Sequence, residues 1–111
     1  MKKYYLINYF VSPEVIEVYK EYLSTYAKDI IKQVVNLKPK ELNTVDKEVV
    51  SSFYRKAKRK TTYVDKETYE KWISIPRAKK KYAHFLIDKE LKKKLKEEEL
   101  WQAELLTILS F

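Results

Sequence analysis

The apolar positions along the chain follow two different periods. Residues 3–11 hold Tyr4, Tyr5, Leu6, Ile7, Tyr9, Phe10 and Val11, so both alternating faces are largely apolar. That pattern predicts a strand covered on both sides and central in a small sheet. Ser12-Pro13-Glu14 then reads as a helix start: serine caps, proline suits the first helical position, and the glutamate complements the helix dipole. From there to about Asn36 the apolar residues fall at 15, 18, 19, 22, 23, 26, 27, 30, 31, 34 and 35. This is one continuous stripe and predicts one long amphipathic helix.

Residues 37–44 read as a connector. Three similar marks follow: Val45-Asp46-Lys47-Glu48, Val64-Asp65-Lys66-Glu67 and Ile87-Asp88-Lys89-Glu90. Each is an apolar residue, an aspartate cap and a charged first turn, predicting three helix starts. The first helix runs from Asp46 to about Lys60 and packs through Val49, Val50, Phe53, Tyr54 and Ala57. The second runs from Asp65 to about Ser74, with Tyr69, Trp72 and Ile73 inward and Pro76 as its stop. The third begins after Asp88 and reaches Leu109. Short strands are expected at Thr61–Val64 and Tyr82–Ile87. The predicted order is β-α-α-β-α-β-α: one α+β domain over residues 1–111, with about four helices and a two- to three-stranded sheet, for which a winged-helix-like arrangement is one solution.

Composition narrows the function classes. The chain has 111 residues, 45% of them hydrophobic, enough for one core. Cysteine is absent, which removes disulfides, thiolate nucleophiles and thiolate zinc sites and fits a cytoplasmic, intracellular home. Glycine is absent too, which excludes the Walker loop and the dinucleotide fingerprint. The N-terminal stretch imitates a signal peptide, but Asn8 interrupts it and Ser12-Pro13-Glu14 opens a charged helix. No run approaches the roughly 18 apolar residues that would span a bilayer, so no membrane partner is expected. Lysine far outnumbers arginine, which suits an AT-rich or thermophilic source, a virus included.

The formal net charge is +8 and it is unevenly spread. Residues 1–53 carry 8 basic and 7 acidic groups, residues 54–96 carry 16 and 5, and residues 97–111 carry 4 acidic groups and no basic one. A positive field concentrated in the middle of the chain is what a polyanion-binding surface requires. On the helix after Asp46, Lys47, Ser51, Arg55, Lys58 and Arg59 fall within one arc of about 120°. Lys56 and Lys60 are the adjoining cations in sequence. A second basic run, Arg77-Ala78-Lys79-Lys80-Lys81, is expected in a loop before a strand. The predicted function is nucleic-acid binding, DNA or RNA, in which Lys47, Arg55, Lys56, Lys58, Arg59, Lys60, Arg77, Lys79, Lys80 and Lys81 neutralise phosphates and Arg55 and Arg59 reach bases. The excess of lysine favours backbone contact over base reading. Tyr54, Tyr63, Trp72 and Tyr82 stand near the basic runs as candidates for stacking on unpaired bases, or as core aromatics.

The alternative is a protein-interaction module, an inhibitor or assembly subunit. It would dock a partner protein or a second copy through Leu100, Trp101, Leu105 and Ile108 of the C-terminal helix. No enzyme is expected and no cofactor is implied. His84 is the only histidine and lies in an apolar run, which predicts a structural role. The three Asp-Lys-Glu marks offer six carboxylates that could serve a metal-dependent nuclease, but each aspartate has a simpler use as a helix cap.

Overall fold

The computed structural model describes residues 3–38 and 46–109, the last fourteen of these as helical backbone only. Among these residues the chain forms a two-stranded antiparallel sheet and four helical units, a small α+β domain. Strand β1 spans Tyr5–Val11. It leads into α1 (Pro13–Tyr19), a 3₁₀ turn (Lys20–Tyr22) and α2 (Leu23–Val34), which together make the first, bent unit. Then come α3 (Lys47–Lys56), β2 (Lys58–Val64), α4 (Lys66–Ile73) and α5 (Arg77–Leu109).

The expected single helix of residues 12–36 is broken at Lys20, whose backbone adopts φ 51°, ψ −123°. With no glycine in the chain, a lysine makes this turn, and nothing in the sequence marks it. The break rotates the apolar stripe. Val15, Tyr19, Leu23, Ala27, Ile30, Ile31 and Val34 are buried, whereas Val18 and Tyr22 of the same stripe are exposed.

Among the described residues, strand β1 pairs only with β2, in the register Tyr5↔Val64, Ile7↔Thr62, Tyr9↔Lys60 and Val11↔Lys58. It is therefore an edge strand with one buried face (Ile7, Tyr9, Val11), not the doubly covered central strand the composition predicts. Its other face carries Leu6 and Asn8 into solvent. The predicted strand at Tyr82–Ile87 is absent: those residues are helical, and α5 starts eleven positions before Asp88. Ala83, His84, Ile87, Asp88 and Leu91 are buried at helical spacing, so the stripe continues through the run read as a strand. With no consecutive-strand hairpin among the described residues, the winged-helix arrangement does not form.

Helix α5 runs beside the open edge of β1, and this contact organises the domain. The Phe10 N–H donates to His84 Nδ1 at 3.2 Å, and the Ser12 N–H donates to Asp88 Oδ1 at 2.7 Å. One strand pleat pair advances roughly 6.6 Å and four helical residues advance roughly 6.0 Å, so acceptors at i and i+4 of a helix match outward amides at i and i+2 of a strand. The Ser12 hydroxyl also donates to Asp88 Oδ1, at 3.0 Å, and does not cap α1. Asp88 in turn is not the helix cap its sequence context predicts but a buried acceptor in mid-helix, paired through Oδ2 with Lys92 at 3.1 Å. Tyr19 closes the same seam by donating to the Leu91 carbonyl at 2.7 Å.

The other two aspartates do cap. Asp46 accepts from the Glu48 N–H at the start of α3 and Asp65 from the Thr68 N–H at the start of α4, both at 2.9 Å. Helix α4 buries Trp72 and half-buries Tyr69, while Ile73, expected inward, is exposed.

Candidate nucleic-acid interface

Helix α3 ends at Lys56, four residues before the predicted end, and the chain turns into β2 at Lys58. The expected single basic helix face is thereby divided. Lys47, Ser51 and Arg55 remain on α3, one turn apart, and line a shallow depression with Glu48 and Ser52. Lys58, Arg59 and Lys60 become exposed strand residues instead. Lys56, beside Arg55, is exposed as well. The reason is tertiary: β2 pairs with the whole length of β1, and that ladder claims residues that propensity alone leaves helical.

The second basic run is likewise not a loop. Arg77, Lys79, Lys80 and Lys81 form the first turns of α5, nucleated by Pro76, whose carbonyl accepts from the N–H groups of Lys79 and Lys80. An aromatic cluster joins this run to α3 and β1. Tyr54 of α3 lies 5.1 Å from Phe10 of β1 and 6.1 Å from His84 of α5, ring centre to ring centre. The Lys81 ammonium stands 5.8 Å from the Tyr54 ring. Arg59 is the cross-strand partner of Phe10 and shares its sheet face. Arg55 follows Tyr54 directly, and Arg77 precedes Lys81 by one helical turn. Lys81 thus stands beside the Tyr54 ring and Arg59 shares the sheet face of Phe10, which packs on that ring, while Arg55, the next residue on α3, lines the depression with Lys47 and Ser51 instead.

Lys80 has a different role. Its ammonium lies 4.3 Å over the Trp72 ring and donates to the Trp72 carbonyl. Burial there lowers its pKa from the ordinary lysine value. This side chain closes the core and is ill placed to meet a phosphate. Trp72 itself is buried against His84 at 5.3 Å, so it is a core aromatic, as is Tyr54 in part. His84 is held neutral. Burial, reinforced by the Lys80 charge, lowers its pKa to about 4, in keeping with an Nδ1 that accepts a hydrogen bond.

A second basic cluster leaves no mark in the charge profile, because residues 1–53 are nearly neutral in sum. Lys28 and Lys32, one turn apart on α2, converge with Lys3 on a groove of about 460 Å³ that also takes in Tyr4 and Asp65. The Lys28 ammonium stands 5.5 Å from the Tyr4 ring. Hydrogen bonds from Thr68, with Lys32 and Lys28 nearby, hold the Asp65 carboxyl below its usual value. The i, i+4 spacing of the two lysines was the available signal.

The side chains of Leu100, Trp101, Leu105 and Ile108 lie outside the described residues. Among the described residues, no three histidine or carboxylate groups are grouped as metal ligands would be, and no helix is long and apolar enough to cross a membrane. No family model matches the chain, and no curated protein or solved structure matches it either.

Proposed function

We propose that this protein binds nucleic acid, chiefly through the phosphate backbone, on the surface formed by the end of α3, the start of β2 and the first turns of α5. The observation that carries the reading is that cations of two separate elements, Lys81 of α5 and Arg59 of β2, meet at the aromatic pair of Tyr54 and Phe10. Cations spread through the chain as a solubility device have no reason to meet at one place. Arg59 supplies a guanidinium fork, which suits phosphate oxygens held in two bonds at once. Lys47 and Lys56 of α3 widen the positive field, whereas Lys58 and Lys60, the cross-strand partners of Val11 and Tyr9, lie on the other sheet face.

The test is fluorescence anisotropy of labelled nucleic acid across a salt series. Binding should weaken linearly on a log–log plot, with a slope set by the number of phosphates neutralised. Combined reversal of Arg55, Arg59 and Lys81 to glutamate should abolish it. Normal binding by that variant would refute the site.

A protein partner is the second reading. It is favoured by the continuation of α5 to Leu109, well past Leu91, which is buried in the core. Association through that segment would persist at high salt, where the polyanion interaction fails.

A further inference from the structure

The sheet has an outward face that no described element fills at one end. Leu6 and Tyr63 stand directly opposite each other in the ladder and are 51% and 59% exposed. Asn8 and Thr61, the next pair, are exposed as well. Arg59 follows on the same face, roughly 13 Å from Tyr63 along β2. At the Tyr63 end the face meets a groove of about 350 Å³ that includes Tyr4, itself 56% exposed, and Lys28. Lys32 lies one turn further along α2.

We infer that the nucleic acid bound here is single-stranded, with bases stacked on Tyr63 and Tyr4 and phosphates reaching Lys28 and Lys32 at one end and Arg59 at the other. The inference rests on the nucleic-acid reading above and adds the class of strand. A duplex buries its base faces in its own stack and offers only grooves and phosphates. Flat exposed rings are of no use to it. Unpaired bases have free faces, and an aromatic platform edged with cations takes them regardless of sequence. The charge pattern agrees: cations border the platform at both ends, while its centre (Leu6, Asn8, Thr61, Tyr63) is uncharged. An apolar protein partner would find the aromatic centre but not the flanking cations useful.

The experiment compares oligothymidine, oligouridine and a DNA duplex by anisotropy, using the wild-type chain, Tyr63→Ala and Tyr63→Phe. Tyr63 is exposed, so both variants fold, which a melting curve verifies. The expected result is tighter binding of single strands than of duplex. Tyr63→Ala should weaken the single-strand complex about tenfold or more, Tyr63→Phe should restore it, and the duplex should be indifferent to both. Salt-sensitive binding of all three that ignores Tyr63→Ala overturns the stacking inference and leaves the basic surface standing. Flat traces for all three overturn the basic surface as well. Self-association in sedimentation that Tyr63→Ala abolishes, with oligonucleotide binding unchanged, would show a second copy on this face and also overturn the inference.

Discussion

Asp88 Oδ1 accepts from both the backbone N–H and the hydroxyl of Ser12, 76 positions earlier in the chain. Both residues are buried. A charge-assisted pair of bonds thus joins the end of β1 to the middle of α5, where water would otherwise have to solvate an edge amide. Asp88→Ala leaves that amide buried and unsatisfied, and should cost about 3 kcal/mol. Ser12→Ala removes only the hydroxyl and should cost about 1 kcal/mol. Chemical denaturation of the two single variants and the double variant will show less than additive loss, since the residues share one interaction.

His84 makes stability depend on pH. Its folded-state pKa is lowered to about 4 from an ordinary 6.5, because the ring is buried and faces Lys80. Above pH 6.5 the ring is neutral in both folded and unfolded chains, and its contribution is complete. As pH falls from 6.5 toward 4, the unfolded chain takes up a proton that the folded one refuses, so stability declines. The full difference corresponds to about 3 kcal/mol. Denaturant midpoints measured between pH 7 and 4 should fall accordingly, and His84→Gln, which does not titrate, should flatten that dependence.

Lys20 holds a backbone conformation that costs a residue with a β-carbon on the order of 1 kcal/mol or more. Lys20→Gly relieves it at an exposed position. The variant should be more stable by about 1 kcal/mol, seen as a melting temperature about 4 °C higher. A lower melting temperature would mean the turn is not strained.

Lys80 and Lys81 are adjacent in sequence and should behave oppositely. Lys80→Ala removes the ammonium over Trp72 and should lower stability while changing nucleic-acid affinity little. Lys81→Glu, on the exposed side near Tyr54, should leave stability within about 0.5 kcal/mol of wild type and weaken affinity with a shallower salt slope. Melting curves and anisotropy on the same two preparations separate the roles.

Local chemistry determined a good deal of this protein from sequence alone. The strand before Ser12, the α+β class, the caps at Asp46 and Asp65, and the concentration of charge after residue 54 all follow from nearest-neighbour patterns. Those signals act over a few residues and survive folding. What the tertiary structure decided is where neighbouring patterns conflict. Asp88 carries the same local signature as Asp46 and Asp65, yet it is a buried acceptor, because the open edge of β1 lies beside it and needs one. Lys58, Arg59 and Lys60 extend a helical pattern, yet they are a strand, because β1 offers a full-length ladder. The groove of Lys28 and Lys32 with Tyr4, and the pairing of Leu6 with Tyr63, exist only once residues far apart in the chain are set side by side. No local pattern encodes such an adjacency, since it is the packing of β1 against β2, α2 and α5 that creates it.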